Sequence, residues 1–170
     1  MPTRAVLADA DATRAFGREL AAVLRAGDLV VLTGGLGAGK TTLTQGIGAG
    51  LGVRGPVVSP TFTIARVQPS LGAGPALVHV DAYRLTSLDE VDALDLDTEL
   101  DESVTVVEWG AGWVEPLAGD RLEIGVERPR GASGTGDDAT DADAGPRVVT
   151  VVAVGSRWSA VVLPGEPVAG

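Results

Sequence analysis

The chain has 170 residues, 45% of them hydrophobic, with a formal net charge of −10 and a sequence pI of about 4.4. That length suits one domain with its own core, and the acidity argues against direct gripping of nucleic acid, which needs clustered Lys or Arg against the phosphate backbone. With no cysteine and with His79 as the sole histidine, neither a disulfide nor a transition-metal site is expected, so any metal should be a hard cation held by oxygen, as Mg²⁺ is.

In chain order, Thr3 to Leu7 reads as a short first strand. Asp11 is placed to cap a helix running to about Arg25, with Phe16, Leu20, Val23 and Leu24 on one face at helical spacing. Gly27-Asp28 turns the chain into the strand Leu29 to Thr33. A second helix begins near Thr41 and runs to about Leu51, where Gly52 fits its stop. Ser59-Pro60-Thr61-Phe62 opens a strand from Phe62 to Val67, and residues 68–75 form a loop. Ala76 to Asp81 is a strong strand ending in an acid. Ser87-Leu88-Asp89-Glu90 is a capping box that starts an acidic helix. Val104 to Val107 is a further strand, again followed by an acid, Glu108, and Arg121 to Glu127 alternates as a strand.

Residues 131–146 are low-complexity Gly, Asp, Ala and Thr and read as a disordered acidic insert. Arg147 to Val154 and Arg157 to Leu163 read as a closing hairpin around Gly155-Ser156. The expected architecture is α/β: one domain over residues 1–165 with a mixed sheet flanked by helices, a C-terminal β-hairpin and a tail over 166–170. The start of the chain lacks the apolar stretch of a signal peptide and no run reaches membrane-spanning length, so a cytoplasmic protein without membrane contact is expected.

The chemistry centres on Gly34-Gly35-Leu36-Gly37-Ala38-Gly39-Lys40-Thr41, which fits the phosphate-binding pattern G-x-x-x-x-G-K-[ST] at every fixed position. Lys40 is the only lysine in the chain. Strand before and helix after supply the context that separates a phosphate loop from a chance match. Glycines let the backbone curl so that N–H groups point inward, and the helix adds its positive end. Lys40 is expected to neutralise the β- and γ-phosphates and the Thr41 hydroxyl to ligate Mg²⁺, with Gly35, Leu36, Gly37, Ala38, Gly39 and Thr42 completing the cradle of a P-loop NTPase-like domain.

Hydrolysis further needs an acid for Mg²⁺ and a group that orients water. Asp81 and Glu108 stand at strand ends, the edge where open α/β sheets bind ligands. Glu108 follows a fully apolar run, as a Walker B acid does. Period-two alternation places His79 on the same side of its strand as Asp81; a lone histidine on a buried strand reads first as a hydrogen-bonded core residue and second as a base. Thr61 fits either a hydroxyl that senses the γ-phosphate or, more simply, a turn entering a strand.

Gly37-Ala38-Gly39-Lys40-Thr41-Thr42, Ser59-Pro60-Thr61-Phe62, His79-Val80-Asp81-Ala82-Tyr83-Arg84 and Val107-Glu108-Trp109 occur in this order. With them the chain closely resembles the bacterial TsaE (YjeE) family of small P-loop ATPases, over about residues 5–127 and more weakly over 147–163. The resemblance implies ATP and Mg²⁺ as ligands, and a role in making threonylcarbamoyladenosine beside the tRNA anticodon. It also implies a TsaD–TsaB complex as partner, with ATP hydrolysis supporting turnover there. By the same resemblance Thr41 and Glu108 are Mg²⁺ ligands and Asp81 the acid needed for hydrolysis. The resemblance implies Thr13 near the base and Trp109 near the nucleotide, where a core aromatic is the plainer reading, and Arg147 is a candidate for a phosphate or nucleotide contact from the closing strands or else a surface arginine. Gly35 stands where family loops often carry an acid.

Rival readings are a small-molecule kinase, for which Arg121, Arg128 and Arg130 are the nearest basic cluster, and a nucleotide-gated interaction protein with negligible turnover. A GTPase of the common type is disfavoured, because guanine readers use Asn-Lys-x-Asp and this chain has no asparagine.

Overall fold

Runs of valine and leucine dictate the sheet. A computed structural model describes residues 1–60, 65–82, 101–109, 118–129 and 145–168. Its strands are β1 (Thr3–Leu7), β2 (Leu29–Thr33), β3 (Ala65–Gln68), β4 (Ala76–Asp81), β5 (Ser103–Glu108), β6 (Arg121–Glu127), β7 (Arg147–Val154) and β8 (Glu166–Pro167). They form one mixed sheet in the order β3-β4-β5-β2-β6-β7-β1-β8. The centre is parallel, with β5 and β6 on either side of β2 and β4 beyond β5; β3, β7, β1 and β8 add antiparallel edges. β5 is buried at every position, as a parallel strand covered on both faces must be. β6 instead alternates between buried and half-buried residues, the signature of one covered face.

Helices α1 (Ala10–Ala21) and α2 (Lys40–Leu51) pack on each other. Glycines make that approach possible. A Cβ at Gly46 would run into the Arg14 backbone, and one at Gly17 would stand 2.5 Å from the Leu43 carbonyl oxygen. Phe16, Leu20, Leu43 and Ile47 join Val30, Leu32, Val106, Ile124 and Val151 in one core, each such side chain contributing about 1.5–3 kcal/mol on burial.

Several expected boundaries moved. Asp9, not Asp11, caps α1: its Oδ1 accepts from the Ala12 N–H at 2.8 Å. α1 also stops at Ala21 rather than near Arg25. Val23 and Leu24 donate back three residues, and Asp28 Oδ2 accepts the Arg25 N–H at 2.8 Å, which draws the chain into a tight turn toward β2. Gly52 does end α2, at φ 69°.

The expected C-terminal hairpin does not form. After β7 the chain enters a 3₁₀ turn, Ser156–Trp158, and residues 159–163 join no strand. Arg157 is held by Asp28 through Nε at 3.2 Å and an Nη2 bond at 3.0 Å, and Trp158 is buried. These tertiary anchors outcompete a ladder. β7 pairs with β6 and β1, and the last strand, β8, is the two-residue stretch Glu166–Pro167 within the expected tail, paired with β1. The expected strand residues 62–64, the capping box over 87–90 with its acidic helix, and nearly all of the acidic insert 131–146 lie outside the described residues.

Candidate functional site

β2, β4 and β5 run parallel, so their carboxyl ends open on one edge of the sheet, where Asp81 pairs in register with Glu108 and Glu108 with Leu32. From β2 the chain passes through residues 34–39 into α2. Two loop glycines have backbone angles closed to other residues: Gly34 at φ 144° and Gly39 at φ 110°. A side chain at Gly34 would strike the Val126 carbonyl of β6, and one at Gly39 would stand 3.3 Å from Arg147 Nε of β7. β6 and β7 therefore back the loop. Gly39 caps α2 without a side-chain hydrogen bond, which leaves the first-turn N–H groups and the positive helix end for a ligand.

Lys40 curls over this loop. Its Nζ donates to the carbonyls of Gly34 at 2.8 Å and Gly35 at 2.9 Å, and lies 4.1 Å from the centre of the Trp109 ring. Burial holds its pKa below that of an ordinary lysine, while the Glu108 and Asp81 carboxylates pull the other way. Trp109 is the only non-glycine residue with positive φ among the described residues, at 62°. Its N–H extends the ladder to Leu32 O at 3.0 Å, and its ring lies against the Lys40 ammonium. A bulky residue in that conformation stores strain on the order of 1–3 kcal/mol.

Glu108 collects two donors on one oxygen. The Thr41 hydroxyl donates to its Oε1 at 3.0 Å, and His79 Nε2 lies 2.8 Å from the same atom. The His79 and Glu108 side chains are 1% and 5% exposed. A cavity of about 220 Å³ is lined by residues 36–42 of the loop and by Ser59, Asp81, Glu108 and Trp109. A larger cavity of about 500 Å³ lies beside Arg4, Val6 and Glu166 at the β1–β8 edge and gathers none of these groups.

The structure thus brings Leu36, Gly37, Ala38, Gly39, Lys40, Thr41, Thr42, Asp81, Glu108 and Trp109 to one pocket. Gly35 contributes its carbonyl to Lys40, and open space surrounds the place a side chain would take there. Thr13 is not among the lining residues; it is buried in α1 with its hydroxyl on the Asp9 carbonyl at 2.8 Å. Arg147 is fully buried behind Gly39 rather than on the surface, and it too does not line the cavity. Thr61 lies outside the described residues. Ser59 was missed as a lining residue, although its place in Ser59-Pro60-Thr61 was a usable signal. Arg121 stands in register with Leu29, at the opposite edge of the sheet, and pairs with Glu123 at 2.7 Å, so it does not serve as a phosphate lid.

Thr41 and Glu108 offer a hydroxyl and a carboxylate, the hard oxygen donors that suit Mg²⁺. No group of three or more His, Cys, Asp or Glu suited to a metal occurs among the described residues. A hydroxyl and a carboxylate fit a cation that takes few protein ligands and completes its shell with phosphate and water.

Residues 7–133 match the family model described as threonylcarbamoyl adenosine biosynthesis protein TsaE. The tRNA threonylcarbamoyladenosine biosynthesis protein TsaE of Streptomyces coelicolor is 60% identical over 147 residues, covering 86% of this chain and 93% of that protein. The protein of the same name in Bacillus subtilis is 40% identical over 147 residues, covering 86% and 82%. Among solved structures, the crystal structure of Bacillus subtilis YdiB superposes with a TM-score of 0.67 at 32% identity, covering 94% of this chain and 90% of that one.

Proposed function

The chain belongs to the TsaE family, and from that premise we propose that it is a Mg²⁺-dependent P-loop ATPase that supports threonylcarbamoyladenosine modification of tRNA through a TsaD–TsaB complex. One observation carries the reading: Lys40, Thr41, Asp81 and Glu108 meet in a single cavity at the carboxyl edge of the sheet. The loop N–H groups and the α2 terminus cradle the phosphates, and the Lys40 ammonium neutralises charge that builds on them during transfer. Thr41 and Glu108 would hold Mg²⁺, which when bound screens the phosphate oxygens and so eases attack. Asp81, across the register from Glu108, orients the attacking water. Trp109 shields the ammonium and faces the nucleotide. Arg147 braces the loop from behind Gly39, and Thr13 steadies α1 against the nucleotide-binding helix. The chain acts as one domain in the cytoplasm, with Glu166–Pro167 joined to its sheet.

The acidic chain contacts partner proteins rather than tRNA itself. The test is tRNA from cells depleted of this protein and resupplied with wild type or Asp81→Asn. Threonylcarbamoyladenosine should fall on depletion, return with wild type and stay low with Asp81→Asn. Unchanged modification on depletion removes the assignment. Full rescue by a variant that binds ATP but does not hydrolyse it supports a nucleotide-gated binding protein instead.

A further inference from the structure

His79 has no part in the mechanism above, yet it is fully buried on β4 and its one hydrogen bond goes to a residue of the site. Burying a polar ring in a sheet is costly unless its donors are used. Here Nε2 reaches Glu108 Oε1 at 2.8 Å, while Nδ1 has no hydrogen-bond partner among the described residues. A carboxylate oxygen accepts but does not donate, so the ring carries its hydrogen at Nε2. A ring kept only for packing has no need of this bond. An apolar side chain of similar size would fill the space without leaving Nδ1 unsatisfied.

The same Oε1 also accepts the Thr41 hydroxyl at 3.0 Å. One oxygen of Glu108 is thereby committed to two donors from two elements, β4 and the start of α2, and Oε2 is the oxygen this arrangement leaves for a cation. The Thr41 hydroxyl, having given its hydrogen to Oε1, presents its lone pairs.

We propose that His79 is a positioning residue for the metal site: its Nε2–H fixes the rotamer of Glu108, so that Glu108 and Thr41 meet a divalent cation already oriented. The inference rests on the Mg²⁺-nucleotide reading above and deepens it. Groups behind metal ligands commonly change metal affinity or activity by about 10–100-fold when removed.

Two measurements test it. In the first, Mn²⁺ binding to the ADP complex is followed by electron paramagnetic resonance in wild type, His79→Asn and His79→Gln. The Gln amide reaches the place of Nε2 and the Asn amide does not. His79→Asn should weaken Mn²⁺ binding by about 10–100-fold, leave ADP affinity in EDTA unchanged, and be largely rescued in His79→Gln. In the second, no variant is needed. His79 is the sole histidine, so ¹⁵N imidazole spectra of wild type report it alone. They should show hydrogen at Nε2, with a signal that moves when Mg²⁺ joins the ADP complex. Wild-type Mn²⁺ affinity in both variants, hydrogen at Nδ1 alone, or an Nε2 signal indifferent to Mg²⁺ each overturns the inference and leaves the functional reading standing. A wild type that takes up no Mn²⁺ with ADP overturns that functional reading, and the inference with it.

Discussion

Lys40 and Glu108 divide the work of the site, and their variants should fail in different ways. Glu108→Gln keeps the shape but loses the anionic oxygen beside Thr41, so ADP affinity without metal should persist while Mg²⁺-dependent hydrolysis falls. Hydrolysis assayed over a Mg²⁺ series checks this, and an unaltered profile counts against Glu108 as a ligand. Lys40 adds a pH signature. Burial lowers its pKa below that of an ordinary lysine, so between the folded value and the ordinary one the native protein holds fewer protons than the unfolded chain. Through this group the nucleotide-free protein therefore gains stability as pH rises across that alkaline window. Phosphate favours the charged ammonium, so nucleotide affinity should fall over the same window. Calorimetric ADP affinities should decline at lower pH than an ordinary lysine predicts, and Lys40→Arg should flatten the decline. The loop residues were legible from pattern alone, because phosphate chemistry fixes residue types at fixed spacing. The His79–Glu108 bond was not, because it depends on the register of two strands whose residues lie 29 positions apart.

At the scale of elements, most strands were readable, β1 and β7 on the antiparallel side included, while the helix ends and the last strand were not. β2, β4 and β5 appear as apolar runs ending at the site, and their positions followed from composition and turn residues. The cap of α1 shifted from Asp11 to Asp9 because helical spacing defines a face and leaves the ends open. The false hairpin arose because Arg157 to Leu163 is apolar around a Gly-Ser pair, whereas Asp28, 129 residues away, holds Arg157 off the ladder. What the sequence hid most completely is the contact between α1 and α2, which shows as glycine content without periodic meaning. Gly46→Ala would press a methyl group into the Arg14 backbone. It should destabilise the protein by about 1–3 kcal/mol, the usual range for overpacking. Thermal or urea unfolding reads this directly, and an unchanged midpoint would show that the helices give way without cost.

The whole molecule separates its anchoring edge from its working edge. Asp28 precedes β2 and holds Arg157 at 3.0 Å, with side chains 5% and 10% exposed, while the phosphate loop follows the other end of the same strand. Arg157→Ala leaves a buried carboxylate without its cation and should cost about 3–5 kcal/mol of stability. ADP affinity of the folded variant should match wild type, since no site residue is touched. A large loss of affinity at full folding would mean that the two edges are coupled. Among the described residues no helix is long and apolar enough to cross a membrane.

All of this depends on a triphosphate settling into the loop between β2 and α2. Isothermal calorimetry of ATP with Mg²⁺ against wild-type and Lys40→Ala protein tests that most directly. Wild type should give saturable one-to-one binding, and folded Lys40→Ala should lose about 1.5–3 kcal/mol of it, the range for one hydrogen bond to a charged group. Equal heats from both proteins, or none from well-folded wild type, would contradict the account.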